Sequence, residues 1–228
     1  MTATTVPTVP SEPTLLTARA LLLDMDGTLV NSDAVVERIW RRWAERHGLD
    51  ADEVMKVVHG RQGHASMALL LPDRPVEQNL ADNARMLAEE TADVDGVVAI
   101  PGAPEFLASL RGLPHALVTS ADLALATARM GAAGLALPEV RVTAESVGAS
   151  KPDPEGFLKG AAELGVEPGE CVVFEDSAAG IEAGRAAGMR VVGVGARADL
   201  YEPDVVVRDL TRVRVEGVAG GGIRLYVG

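Results

Sequence analysis

Short apolar runs, each closed by turn-forming or polar residues, recur along the chain. They occupy residues 21–23, 116–119, 140–143, 171–174, 191–194 and 205–207. Runs this short and this continuous are typical of strands that are buried on both faces of a sheet. Helical patterns separate most of them, at residues 101–111, 122–130 and from 153 onward. This alternation predicts an α/β fold with a Rossmann-like, doubly wound parallel sheet as its core.

The stretch between the first and second apolar runs has a different pattern, because helix follows helix there with no convincing strand. The residues on the apolar face of its first helix are Val36, Ile39, Trp40 and Trp43. Further helical patterns cover residues 52–58, 65–71 and 76–91. We therefore predict an inserted helical cap at residues 32–92, able to close over a site, and a core formed by residues 18–31 and 93–228.

The two ends of the chain depart from this pattern. Residues 1–17 are rich in threonine and proline, and the prolines block regular structure, so we predict a disordered leader there. At the other end, apolar residues at 213–215 and 223–227 flank three consecutive glycines. That arrangement predicts a β-hairpin, for which the sequence offers no function.

Composition narrows the classes of partner. The chain has 33 acidic and 21 basic residues and a formal net charge of -12. This charge argues against nucleic acid and anionic membranes as partners, since both need a basic surface. A small phosphorylated substrate would instead need a local positive site, made by a metal and a lysine.

The cysteine count and the lengths of the apolar stretches bear on the location of the protein. The single cysteine, Cys171, excludes an intrachain disulfide, and no stretch is long and apolar enough to span a bilayer. We therefore predict a cytoplasmic protein.

Two aspartates close the first apolar run. Asp24 and Asp26 follow it directly, with Gly27 next to allow a sharp turn. Side chains two residues apart in extended backbone point the same way, so the two carboxylates should face one place. Carboxylates held that close repel each other unless a cation lies between them, which predicts a divalent metal. The alternative is that an aspartate merely caps the turn.

Three other polar groups follow predicted strands or begin predicted helices. Thr119 and Ser120 offer hydroxyls and, at a helix start, free backbone N–H groups that suit a phosphate. Lys151 precedes a helix and can reach a phosphate oxygen, while Glu175 and Asp176 add oxygen ligands of the kind that Mg²⁺ prefers. Ordinary helix capping is the alternative for Ser120 and Asp176. In a doubly wound sheet such strand ends meet at one crevice, so we predict a single site.

In this order, the motifs resemble those of the haloacid dehalogenase superfamily, in its phosphatase branch with a helical cap. Residues 24–32 are similar to the family's first motif, and Thr119-Ser120, Lys151 and residues 175–180 match the later ones, so the resemblance covers most of residues 20–200. It implies that Thr119, Ser120 and Lys151 hold the phosphoryl oxygens. Ala121 and Asn31 depart from the residues common in the family, which bears on the substrate more than on the chemistry.

The resemblance also implies a mechanism. Asp24 would attack the substrate phosphorus and form an aspartyl-phosphate, and Asp26 would protonate the leaving alcohol and later activate water. Mg²⁺ would be held by the carboxylates of Asp24 and Asp176 and by the backbone carbonyl of Asp26. Glu175 is assigned to the surroundings of the metal, with direct ligation as the alternative.

The finer pattern is similar to small sugar- and polyol-phosphate phosphatases, which makes such phosphate monoesters the expected substrates. Substrate choice would fall to His59, Arg61 and His64, which we place on a glycine-containing loop of the cap; a solvated loop without this role is the alternative. Two rival functions are a hexose phosphomutase resembling beta-phosphoglucomutase and a non-catalytic phosphosugar-binding regulator. Dehalogenation is disfavoured, because Asp26 has no task in carbon-halogen cleavage.

Overall fold

A computed structural model describes residues 13–228 of the chain. The strands are β1 (Thr14–Ala18), β2 (Ala20–Leu23), β3 (Val30–Asn31), β4 (Val98–Ala99), β5 (His115–Val118), β6 (Val140–Val142), β7 (Cys171–Glu175), β8 (Arg190–Val194), β9 (Val205–Val207), β10 (Val213–Val218) and β11 (Gly222–Val227). The α-helices are α1 (Asp33–Arg46), α2 (Ala51–Val58), α3 (Gly63–Leu70), α4 (Val76–Ala92), α5 (Ala103–Ser109), α6 (Leu123–Ala132), α7 (Glu155–Glu163), α8 (Ala178–Ala186) and α9 (Gly195–Ala198).

The centre of the fold is a six-stranded parallel sheet in the order β6-β5-β2-β7-β8-β9. From β2 the chain first builds one half of this sheet and then returns to build the other half. The strand order therefore reverses next to β2, and its carboxyl end is the place where a doubly wound sheet binds ligands. The predicted Rossmann-like α/β fold is confirmed, with all six predicted strands in the sheet.

Strand β2 is buried on both of its faces, as its continuous apolar sequence predicted. Leu21 and Leu23 pack into one hydrophobic cluster, and Ala20 and Leu22 pack into a second cluster on the other face. The opposite orientation of successive side chains along a strand produces this division. Helices cover both faces, so the strand that carries the first motif is held rigidly at the centre of the molecule.

Helices α1 to α4 follow one another between the first core strand and the rest of the sheet. The chain enters and leaves this helical stretch through the two-residue strands β3 and β4, in which Val30 pairs with Ala99 and Asn31 with Val98. The sequence did not predict this ribbon, because two residues are too few to show a strand pattern. The ribbon brings the entry and the exit of the helical stretch side by side.

The expectation of a disordered leader over residues 1–17 is wrong for residues 14–17. They belong to β1, which pairs antiparallel with β11, so that Thr14 lies opposite Val227 and Ala18 opposite Ile223. Partner strands and the burial of Leu16 and Ala18 stabilise a segment whose own composition did not favour structure. Residues 1–12 lie outside the described residues.

The predicted C-terminal hairpin is confirmed, and β10, β11 and β1 form a separate three-stranded sheet.

Among residues 13–228, no helix combines the length and the apolar character needed to cross a lipid bilayer.

Candidate active site

A cavity of mixed polar and apolar lining lies where the carboxyl ends of β2 and β5 meet helices α1 to α4. Its volume is about 90 Å³. Its lining includes several of the residues that the sequence singled out, namely Asp24, Asp26, His59, Arg61, Thr119 and Ser120. Residues that are far apart in the chain therefore share one small cavity. Lys151, Glu175 and Asp176 are not part of its lining but lie close to Asp24.

Lys151 is the centre of a buried ion-pair network. Its ammonium Nζ donates to Asp24 Oδ1 at 2.6 Å, to Glu175 Oε1 at 2.8 Å and to the Val118 carbonyl at 3.1 Å. It also lies 5.0 Å from the centre of the Phe157 ring. Burial lowers the pKa of this lysine, but the charges of Asp24 and Glu175 outweigh that effect and leave the pKa above its ordinary value. Lys151 is therefore positively charged at neutral pH and fixed beside Asp24.

Three buried carboxylates form a group that can hold a cation. Asp24, Glu175 and Asp176 each offer an oxygen, and these oxygens lie within 4.8 Å of one another. Burial and neighbouring negative charges raise the pKa of Asp24, to about 8 despite Lys151, and raise that of Asp176 well above its ordinary value. A divalent cation would offset this repulsion, so the donor set fits a hard metal ion with oxygen ligands.

The carboxylate of Asp26 is not part of this acidic group. The expectation of a cation between the carboxylates of Asp24 and Asp26 therefore differs from the structure, in which Asp24 faces Glu175 and Asp176 instead. The Asp26 carboxylate has two other partners, because its Oδ1 accepts from Ser32 Oγ at 2.7 Å and its Oδ2 from Arg129 Nη1 at 2.9 Å. A contribution of Asp26 to the metal through its backbone carbonyl stays a prediction.

Two glycines allow the acidic side chains to approach the backbone. Gly27 has a φ of +85°, and a Cβ atom there would lie 2.1 Å from Asp176 Oδ2. A Cβ atom at Gly180 would lie 1.7 Å from Glu175 Oε1. Any larger residue at either position would push a carboxylate out of the group. The glycines of the first and last motifs are therefore needed for the geometry of the acidic group.

Glu175 is fully engaged by protein donors. One oxygen accepts from Lys151, and the other accepts from the backbone N–H of Ser177 at 2.7 Å and from its hydroxyl at 2.9 Å. These contacts fix Glu175, the last residue of β7, between Lys151 and Ser177, the residue that caps helix α8. They agree with a place in the surroundings of a metal, and its role there stays a prediction.

Thr119 and Ser120 lie at the predicted strand end but before the helix. Helix α6 begins at Leu123, and Asp122 caps it by accepting from the N–H of Leu125. The start of the predicted helix at residue 122 is therefore correct to within one residue, and the capping residue is Asp122 rather than Ser120. Thr119 Oγ1 accepts from the N–H of Ala121 at 3.1 Å, and Ser120 Oγ donates to the Gly60 carbonyl at 2.9 Å.

His59 and Arg61 line the cavity from the loop between α2 and α3. Arg61 Nη1 donates to the Lys151 carbonyl at 3.4 Å. Burial, with the nearby charge of Arg197, lowers the pKa of His59 to about 4, so its ring is neutral at pH 7. His64 does not lie on this loop as expected; it belongs to the first turn of α3, because the helix begins at Gly63.

A buried ion pair between two helices was not predicted from the sequence. Arg129 of α6 donates through Nη2 to Glu90 of α4 at 2.6 Å, and through Nη1 to Asp26. The available signal is that Arg129 shares a helix face with Leu125, Ala126 and Met130, all of them buried. An arginine on an apolar face needs a buried acidic partner. The partner itself is distant in sequence and cannot be identified from the pattern.

Arg197 was also missed, since it follows the fifth core strand in a stretch with no recognised motif. Its guanidinium donates to both Asp33 oxygens, at 2.9 and 3.0 Å, and lies 3.4 Å from Asp176 Oδ2. It therefore links the first turn of α1 to the acidic group.

Several known proteins are similar to this chain over most of its length. Hexitol phosphatase A of Escherichia coli (strain K12) is 41% identical over 210 residues, which cover 90% of this chain and 97% of that protein. Validoxylamine A 7'-phosphate phosphatase of Streptomyces hygroscopicus subsp. limoneus is 36% identical over 86% of this chain and 96% of its own length. Beta-phosphoglucomutase of Clostridium difficile shares the fold, with a TM-score of 0.71 at 21% identity over 86% of this chain and 93% of that one.

A family model for haloacid dehalogenase-like hydrolases matches residues 18–188. The match begins at the end of β1 and extends past helix α8, so it includes every strand end that contributes to the acidic group and to Lys151. The resemblance of the four motifs is therefore confirmed over most of the chain, and the protein belongs to the haloacid dehalogenase-like hydrolases.

Proposed function

We propose that this protein is a phosphatase that hydrolyses phosphate monoesters of small sugars or polyols through an aspartyl-phosphate intermediate. The observation that carries the proposal is the placement of Lys151 2.6 Å from Asp24, inside a group of three buried carboxylates. One lysine and one cation site beside a single carboxylate suit an attack on phosphate, because both positive charges stabilise the phosphoryl oxygens as they gain charge. The hexitol and validoxylamine phosphatases support the substrate class.

The chain's residues divide the reaction into two steps. A carboxylate oxygen of Asp24 forms a bond to phosphorus while the bond from phosphorus to the substrate oxygen breaks, and Asp26 gives its proton to that leaving oxygen. Water then attacks the phosphorus of the aspartyl-phosphate and gives a proton to Asp26, and the bond between phosphorus and Asp24 breaks. Inorganic phosphate leaves, and both aspartates return to their starting states.

Positioning of the phosphate falls to the remaining residues. Asp24, Asp176 and the Asp26 backbone carbonyl would hold Mg²⁺. When bound, that ion supplies positive charge for the transferring oxygens and for the acidic group. Lys151, already fixed by Glu175, supplies the second positive charge, and Thr119 and Ser120 bring hydroxyl groups to the same cavity.

The sugar or polyol portion would lie against the loop of the cap. His59 is neutral at pH 7 and can exchange hydrogen bonds with hydroxyls, while Arg61 donates only. The cavity is small and its lining combines polar with apolar side chains, which suits a short polyhydroxy chain whose hydroxyls and carbon atoms both need partners.

Phosphate release from a panel of sugar and polyol phosphates, with Mg²⁺ and with a chelator, tests the proposal. We expect stoichiometric inorganic phosphate and free polyol with Mg²⁺, and loss of nearly all release with the chelator, since the acidic group then lacks its counter-charge. Conversion of a sugar 1-phosphate to its 6-phosphate without free phosphate would establish a mutase instead. Binding of phosphosugars without any metal-dependent release would establish a regulator.

Replacing Arg61 with alanine should change the order of preference among the sugar and polyol phosphates. The guanidinium is one of few charged donors at the cap side of the cavity, so its loss removes hydrogen bonds to some hydroxyls and not to others. We expect roughly tenfold changes in relative kcat/KM, the effect of one hydrogen bond to a charged group. Arg41→Ala, at an exposed arginine of α1, is the control. An unchanged order of preference would remove Arg61 from substrate recognition.

A further inference from the structure

The carboxylate of Asp26 is held at both of its oxygens. Ser32 Oγ donates to Oδ1 at 2.7 Å, and Arg129 Nη1 donates to Oδ2 at 2.9 Å. Two donors on different oxygens fix the plane of a carboxylate, whereas one donor leaves it free to rotate. Each oxygen keeps a second lone pair, so an orientation fixed in this way still leaves a position for a proton that faces the cavity.

Arg129 itself is held from the cap side. The residue is 3% exposed, and its other terminal nitrogen, Nη2, donates to Glu90 Oε2 at 2.6 Å. Glu90 lies in the last turns of α4, the final helix before the chain returns to the sheet. The planar guanidinium thus connects α6 of the core to α4 through Nη2 and to Asp26 through Nη1. Its Nε has no partner within the described residues, so the contacts of Nη1 and Nη2 define the position of the guanidinium.

A simple structural link between α4 and α6 would need only the contact between Arg129 and Glu90. The contact with Asp26 adds a second acceptor that lies 103 residues away in the chain. A buried arginine is costly to desolvate, and a fork that satisfies two carboxylates in fixed directions is the arrangement for which arginine, unlike lysine, is suited.

We propose that Arg129 is a positioning residue that sets the orientation of the Asp26 carboxylate toward the leaving oxygen, and that Glu90 of α4 fixes Arg129 in that position. The inference rests on the proposed phosphatase function. Helices α4 and α6 then contribute, through Glu90 and Arg129, to the protonation of the leaving group but not to the attack by Asp24. The consequence is a dependence on the leaving group, which a purely structural role would not produce.

The test compares two substrates in Arg129→Lys. One is the best alkyl phosphate of the panel, whose leaving alkoxide needs a proton; the other is p-nitrophenyl phosphate, whose nitrophenolate leaves without one. Lysine keeps the charge but cannot hold both carboxylates. We expect kcat/KM for the alkyl ester, which reports the steps up to release of the leaving group, to fall roughly 100-fold, the usual contribution of a positioned general acid. For p-nitrophenyl phosphate we expect little change in kcat/KM, although kcat falls for both esters wherever the step in which Asp26 activates water limits turnover. Equal losses of kcat/KM for both esters would overturn the proposal.

A second variant and a control accompany this test. Glu90→Gln leaves Arg129 in contact with Asp26 but removes the negative charge that fixes Arg129. We therefore expect a smaller loss of kcat/KM that is again confined to the alkyl ester. If circular dichroism shows that Arg129→Lys does not fold, Glu90→Gln alone provides the test. If Glu90→Gln leaves the ratio of kcat/KM between the two esters unchanged, the positioning role assigned to Glu90 is wrong. Arg38→Lys alters a cap arginine paired with Asp93 away from the cavity and should change neither rate.

The wild-type enzyme separates the two conclusions. If it releases phosphate from neither ester, the phosphatase proposal itself fails. If it hydrolyses both, the outcome for the Arg129 variant bears on the positioning role alone.

Discussion

Asp24→Asn is expected to abolish phosphate release while the protein stays folded. The amide cannot attack phosphorus, so the aspartyl-phosphate cannot form, and we expect kcat to fall by roughly 10⁴-fold or more, as for loss of other nucleophiles. The amide oxygen can still accept from Lys151, so the local hydrogen bonding is retained. Steady-state phosphate release from the preferred ester, with Mg²⁺ present, measures the effect.

Stability provides an independent readout for the same variant. Asp24 is one of three buried carboxylates, and burial, together with the charge of Glu175, raises its pKa to about 8 despite Lys151. Removing its charge relieves repulsion, so the midpoint of thermal unfolding in a chelator should equal or exceed that of the wild type. Asp95→Asn, at an exposed aspartate, is the control and should change neither activity nor stability. Near-normal turnover by Asp24→Asn would remove the nucleophile assignment.

Lys151→Met should lower both activity and stability. Methionine keeps much of the length of the side chain but leaves Asp24 and Glu175 buried without their positive partner. Removing one member of a buried ion pair costs about 3 kcal/mol, and we expect that loss in the free energy of unfolding measured with a chelator. The rate should fall roughly 10³-fold, because the transition state loses a fixed positive charge.

The stabilisation of Lys151→Met by metal ions should distinguish the loss of a positive charge from a general folding defect. A divalent cation that binds the folded protein stabilises it, and the acidic group lacks more counter-charge in Lys151→Met than in the wild type. Added Mg²⁺ should therefore recover more unfolding free energy in the variant than in the wild type, without restoring the rate. Lys56→Met, at an exposed lysine of α2, should show neither effect. Equal stabilisation of both proteins by Mg²⁺ would argue against a cation beside Asp24 and Glu175.

The sequence by itself determined the family, the central sheet and which charged residues are candidates for the site. A run such as residues 21–23 is apolar at every position, which indicates a strand buried on both faces whatever its neighbours are. Asp24, Lys151 and Asp176 could be selected because each carries a charge beside a predicted strand end or helix start and belongs to a motif that resembles one family. These signals lie within short stretches of sequence, so they can be recognised without a structure.

Only the tertiary structure decided which charges meet. The sequence does not distinguish an Asp26 carboxylate that faces the acidic group from one that faces Arg129, and nothing near Arg129 in the sequence identifies Glu90 or Asp26 as its partners. Strands β1, β3 and β4 likewise depend on pairing partners far away in the chain, because they are too short or too polar to be recognised alone. Ion pairs and short ribbons gain their stability from distant groups that folding brings together, and a one-dimensional pattern does not record those distances.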